Sequence, residues 1–307
     1  METERSHENE KSYSSRIILN FFRHAEKEKQ PPAGKVGDEA IQLTGHGKQQ
    51  AVDRGAQFRA ADRDASQSVA FGSPRERSQQ TAGFVMAGGE DEITGTESLE
   101  ELKVKLDRGR VFGTKLGTDP RLDFHAGNKT FEAEVTQAYL DKHMLTWLVH
   151  TSDTRARQLH DRDGSTYLRV ARDFSEIVVK YLRTAKRIDQ LVREKKYDDT
   201  VQKFFGSHQG VPELFMARVI EKLQGAEERD RFVAALDGEG FAYVEGFQVE
   251  IQNPSDGSEA RALLNFQKPA ADGHDGYEIH LPVTMTLLKE MVADGDQFDA
   301  GIETEAS

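Results

Sequence analysis

Residues 17–22, Ile-Ile-Leu-Asn-Phe-Phe, are apolar at almost every position and stop abruptly on Arg23-His24. A run without alternation has both faces buried, as a strand does inside a parallel sheet covered by helices. The rest of the chain agrees with that demand. A Pro/Gly loop, "KQPPAGKVGDEA", leads to a helix that starts near Thr44, and residues 68–73 form a second short strand before the helix "RSQQTAGFVMAG". Residues 93–124 mix helical and strand-like pieces. A long amphipathic helix then covers about 165–195, with Leu168, Ala171, Ile177, Val178, Tyr181 and Leu182 near helical spacing. "TVQKFFGSH" reads as a strand, "PELFMARVIEKL" as a helix with Pro212 near its start, "GFAYVEGFQVEIQN" and "ARALLNFQKP" as paired strands, and "PVTMTLLKEMVA" as a helix. Repeated alternation of strand and helix predicts an α/β fold, a mostly parallel sheet flanked by helices on both faces.

A chain of 307 residues can bury a sizeable core, and no break in composition marks a linker. The expected organisation is a disordered N-terminus over 1–14, one α/β domain over 15–292 with a helical lid or insertion at about 128–200, and a flexible acidic tail over 293–307. With 31% charged residues, no membrane-length apolar run and no leader-like N-terminus, the chain reads as a soluble cytoplasmic protein. Its net charge of −12 argues against nucleic acid as a partner. The absence of cysteine removes disulfides, thiolate metal sites and a cysteine nucleophile together.

Two strands end on a histidine, "FFRH" at His24 and "FFGSH" at His208, and a third delivers Ser73 and Arg77 into a strand-to-helix turn, "GSPRERSQQTA". In a parallel sheet these ends share one edge, where open α/β sheets place their ligands. Forked guanidinium donors match phosphoryl oxygens, and imidazole can attack phosphorus.

Those segments carry a family resemblance. "FFRHAEK" resembles the Arg-His-Gly/Ala-Glu motif of the histidine phosphatase superfamily, the phosphoglycerate mutase-like fold. "QLTGHGKQQA" resembles its Leu-Thr-x-x-Gly helix start, "GSPRERSQQTA" its Ser-Pro-x-x-Arg-x-x-Gln-Thr-Ala segment, and "GSHQGV" the strand ending in its second active-site histidine. The four occur in the family's order between Phe21 and Val211. The resemblance implies a phosphomonoesterase acting on a small phosphorylated metabolite without a cofactor. His24 would be the nucleophile that forms a phosphohistidine, and Arg23, Arg77 and His208 would bind the phosphoryl oxygens, with Glu26 and Ser73 beside them. Catalysis would be in-line displacement by position and positive charge. His24 must then be neutral on its attacking nitrogen, with its other nitrogen donating to a carbonyl or carboxylate.

A leaving alkoxide needs a proton. The family's acid stands four residues before a glycine, which points to Asp123, four before Gly127; Glu26, Glu132 and Glu134 are the alternatives. His46, His125, His143, His150 and His160 read as solvated, no spacing marks a metal site, and no Gly-x-Ser-x-Gly elbow surrounds Ser73, which with Thr44 reads as a cap or pocket wall. Two other readings stay open. A mutase of this family carries Ser and Asn after its first motif and a Trp-rich segment, whereas here neither follows Glu26 and the single Trp is Trp147. A phosphate-binding or scaffolding relative would keep the pocket without turnover. Lys129, Arg155 and Arg157 of the insertion are contacts for a polyanion or, on the plainer reading, surface charges.

Overall fold

The computed structural model describes residues 13–61, 68–88, 92–108, 114–270 and 276–305. Seven strands make one sheet: β1 (Tyr13–Arg23), β2 (Val69–Gly72), β3 (Leu116–Thr118), β4 (Thr200–Ser207), β5 (Gly246–Pro254), β6 (Arg261–Lys268) and β7 (Tyr277–Val283). Their order is β3-β2-β4-β1-β5-β6-β7. From β3 to β1 every pairing is parallel, and from β1 to β7 every pairing is antiparallel. The sheet is therefore mixed, with a parallel core that holds the strands singled out by their termini. The expected pair in the last third is the hairpin of β5 and β6. A further strand, β7, extends it where no strand was expected; Pro282 and Val283, read as the start of a helix, close β7.

Both faces of the parallel half are covered. Ile17, Leu19 and Phe21 of β1 point into one apolar cluster and Phe22 into another, which is why this strand has no polar face. On the first face the Phe21 ring stacks on Phe205 at 4.6 Å and on Phe247 at 5.1 Å, joining β4, β1 and β5 side to side. The helices are α1 (Gly45–Ala61), α2 (Glu76–Ala87) and α3 (Leu99–Leu106) in the first third, and α4 (Lys129–Leu140), α5 (Met144–His150), α6 (Ser152–Gln158) and α7 (Tyr167–Arg193) between β3 and β4. After β4 come α8 (Pro212–Gln224) and α9 (Ala226–Ala235), and α10 (Met285–Glu305) ends the described chain. Thr44 does cap α1, accepting a hydrogen bond from the Gly47 amide at 2.8 Å.

Two expectations about the chain ends change. The N-terminal stretch read as disordered lies mostly outside the described residues, but Tyr13 and Ser14 already belong to β1. Of the segment read as a flexible acidic tail, residues 293–305 are the second half of α10 and 306–307 lie outside the described residues. Phe298 and Ile302 are buried, and two acidic residues of the segment are paired with neighbouring helices: Asp299 with Arg169 and Arg172 of α7, Asp294 with Arg218 and Lys222 of α8. Gly295 is a contact point, since a Cβ there would come within 2.7 Å of the Arg172 side chain.

Candidate active site

The parallel register aligns the ends of three strands. Arg23 stands opposite Ser207, and Gly72 opposite Gly206, so the residues that follow β1, β2 and β4 emerge together. The His24 amide donates to the Ser207 carbonyl at 2.9 Å, and the two imidazoles lie edge to face with centroids 5.6 Å apart. The glycines have a mechanical reason. A Cβ on Gly72 would come within 2.4 Å of the Gln79 backbone, and one on Gly206 within 2.4 Å of the Ser78 carbonyl. Without side chains at both, the first turn of α2 settles onto the sheet edge and brings Arg77 to the histidines.

Both histidines have their tautomer set by backbone. The Nδ1 of His24 lies 2.7 Å from the Ala25 carbonyl, and that of His208 lies 3.0 Å from the Gln209 carbonyl. A carbonyl only accepts, so each Nδ1 carries the proton and each neutral ring keeps a lone pair on Nε2. Burial, then His208 and Arg23, hold the His24 imidazolium pKa well below the ordinary value; burial, then Arg77 and Arg75, do the same to His208.

The cations around them are held in different ways. Arg77 is fully buried, and burial followed by its neighbour Arg75 lowers its pKa to about 10, which leaves it charged at neutral pH. Its Nη1 donates to the Asp38 carbonyl and its Nη2 to the Asp38 carboxylate, each at 2.7 Å. Arg23 donates to the Phe241 carbonyl at 2.5 Å, with its guanidinium carbon 4.5 Å from the Tyr243 ring centre. Behind it, buried Glu213 accepts from the Phe241 amide at 2.7 Å, and burial raises its pKa to about 7. The Nε groups of Arg23 and Arg77 are both buried without a hydrogen-bond partner.

These groups open on a cleft of about 590 Å³ that Arg23, His24, Arg77 and His208 all line. A larger cleft, about 700 Å³, lies between α7 and β6 and contains no such convergence. The other expected residues fall outside the lining. Asp123 is buried with its Oδ1 2.5 Å from Arg75 Nε, so it accepts from a guanidinium rather than facing the cleft. Ser73 is buried in the turn, where its hydroxyl accepts from the Arg75 amide at 3.4 Å. Glu26 faces away, accepting from Thr44 at 3.1 Å and bonded to His46 at 3.0 Å, and these bonds lower its pKa. Glu134 is tied to Arg155. Glu132 is the one of the four acids considered that lines the cleft. Lys129 and Arg157 are exposed away from the cleft, as are the five histidines read as solvated.

Lining residues that the sequence reading did not single out include Lys27, Asp38, Arg75 and Tyr243. Arg75 sits inside the quoted Ser-Pro-x-x-Arg segment and Lys27 just after the first one, so the signal was an extra cation beside each motif. Asp38 had none, because its partners Arg75 and Arg77 lie far along the chain.

Among the described residues no group of three or more His, Asp or Glu is arranged to hold a metal ion, and no helix is long and apolar enough to cross a membrane.

Residues 19–125 match the histidine phosphatase superfamily (branch 1), a stretch that includes the segments of His24, Thr44 and Arg77 and ends before His208. No curated protein matches the chain in sequence. Among solved structures it is similar to a mycobacterial glucosyl-3-phosphoglycerate phosphatase, at 15% identity over 88% of this chain and 99% of the other with a TM-score of 0.42. It is also similar to a mycobacterial hydrolase, at 16% identity over 91% and 97% with a TM-score of 0.41. A third is a mutant phosphoserine phosphatase from Entamoeba histolytica, at 13% identity over 81% and 94% with a TM-score of 0.34. Likeness at this level says nothing about this chain's substrate.

Proposed function

We propose that the protein is a phosphomonoesterase that works through a phosphohistidine on His24. The observation that carries the reading is the hydrogen bond from His24 Nδ1 to the Ala25 carbonyl, which leaves Nε2 unprotonated inside a ring of cations. Nε2 attacks phosphorus in line, the P–N bond forms as the ester P–O bond breaks, and the alkoxide leaves with its electron pair. Water then attacks the phosphohistidine and releases inorganic phosphate. Arg23 and Arg77 neutralise the charge on the non-bridging oxygens, and their unpartnered Nε groups are donors in search of acceptors. His208 is the second imidazole beside those oxygens; an incoming dianion opposes the cations that now disfavour its protonation. Of the acids considered, Glu132 is best placed to protonate the leaving oxygen, because it lines the cleft while Asp123 is bound to Arg75.

The test is turnover of p-nitrophenyl phosphate together with trapping of labelled enzyme by a denaturing quench at alkaline pH. The expected result is steady turnover and a base-stable, acid-labile phosphoenzyme, both abolished in His24→Ala. Wild-type turnover in His24→Ala ends the covalent mechanism, and tight phosphate binding with no turnover supports a non-catalytic relative instead.

A further inference from the structure

Arg23 has to present its guanidinium to a phosphoryl group, and the contacts that aim it come from far along the chain. Among the described residues its side chain makes one hydrogen bond, from Nη1 to the Phe241 carbonyl at 2.5 Å, while its backbone amide donates to the Glu245 carbonyl at 3.0 Å. Both acceptors lie in residues 236–245, the connection from α9 to β5, which also sets the Tyr243 ring against the guanidinium. Where Arg23 points therefore depends on where that loop is fixed.

The loop is pinned by groups around the second histidine. The Gly238 carbonyl accepts from the Leu145 and Thr146 amides at 2.8 and 3.2 Å, and the Glu239 carbonyl accepts from Gln209 Nε2 at 3.1 Å. The Phe241 amide donates to Glu213 Oε1 at 2.7 Å. Gly240 makes room for this last bond, since its φ is +115° and a Cβ there would come within 2.8 Å of Glu213 Oε1. Phe241 is thus held through its amide by a carboxyl group and holds Arg23 through its carbonyl.

A carboxyl group is a destabilising choice of acceptor for one loop amide. Glu213 is fully buried in the first turn of α8, with the Arg23 charge acting on it, and among the described residues its Oε2 has no hydrogen-bond partner. A half-satisfied buried acid breaks the ordinary rule for interiors, and folded chains keep such exceptions chiefly where function depends on them.

We propose that Glu213 is a positioning residue for phosphoryl binding, fixing the Arg23 guanidinium through the backbone of Phe241. Glu213 does not line the cleft, so it acts through Arg23 rather than on the substrate. The inference rests on the anion-binding half of the phosphomonoesterase reading, and phosphate binding rather than turnover tests it.

The experiment is titration of the full chain with inorganic phosphate, followed by phosphorus NMR, which reads weak and tight binding alike. It is run at about pH 6, where most of the Glu213 carboxyl is protonated and an amide in its place changes little charge. Glu213→Gln keeps an oxygen for the Phe241 amide and is expected to bind phosphate within about twofold of wild type. Glu213→Leu leaves that amide without an acceptor and is expected to bind on the order of tenfold more weakly. If Glu213→Leu fails to fold, Glu213→Asp, whose carboxyl stops one methylene short, reads the same loss. In an Arg23→Met background no guanidinium remains to be positioned, so adding Glu213→Leu should weaken binding by less than about twofold. Wild-type affinity in Glu213→Leu, an equal loss in Glu213→Gln, or an undiminished loss in the Arg23→Met background overturns the proposal. Failure of wild type to bind phosphate removes the underlying reading and the proposal together, whereas binding without a Glu213 effect removes the proposal alone.

Discussion

Asp38 occupies the guanidiniums that a phosphoryl group would need, so its removal should strengthen phosphate binding. Its carboxylate accepts from Arg77 Nη2 at 2.7 Å and from Arg75, while the bond from Arg77 Nη1 goes to its backbone carbonyl and would persist in Asp38→Ala. A hydrogen bond to a charged group is worth about 1.5–3 kcal/mol when well shielded. The Asp38 side chain is 47% exposed, so solvent screening reduces this to about 1 kcal/mol, or roughly fivefold in affinity. Isothermal titration of wild type and Asp38→Ala with inorganic phosphate at low and moderate salt is the assay. The expected result is roughly fivefold tighter binding in the variant, with a gain that shrinks as salt rises. Unchanged or weaker binding would refute the reasoning, and would mean that Asp38 holds the arginines in position rather than competing for them.

Other perturbations read different parts of the site. Glu132→Gln should slow an alkyl phosphate by about 10²-fold or more while affecting p-nitrophenyl phosphate far less, because a proton donor matters most for a poor leaving group. Asp123→Asn should affect both substrates alike; the reverse pattern in steady-state kinetics returns the acid's role to Asp123. Vanadate should inhibit and EDTA should not, and activity lost on chelation and restored by metal contradicts a mechanism carried by side chains alone. Glu213 gives a pH signature. Its pKa rises from 4.5 unfolded to about 7 folded, so as pH climbs through that window the unfolded chain ionises first and folding loses stability, on the order of 3 kcal/mol in total. Thermal melts of Glu213→Gln should be flatter than wild type between pH 4.5 and 7.5, and parallel curves would show that Glu213 is not the group responsible.

Some of this was written locally and some was not. The unbroken apolar run before Arg23 required two covered faces, and strands that end on His24 and His208 could share an edge only if parallel; that much follows from side-chain burial and strand geometry within single segments. Arg77 was legible for the same reason, through the tight turn after Gly72. The helix over the last residues was not, because Gly295 and a run of acids look like solvated chain until Arg169, Arg172, Arg218 and Lys222 are placed against them. Nor did the alternation in β7 announce a strand until β6 was beside it. The pairing of Asp123 with Arg75 and the bridge between Asp38, Arg75 and Arg77 likewise arise only in three dimensions. Charge pairing acts through space, over a few ångströms between residues far apart in the chain, and only the packed sheet edge brings those residues within that range.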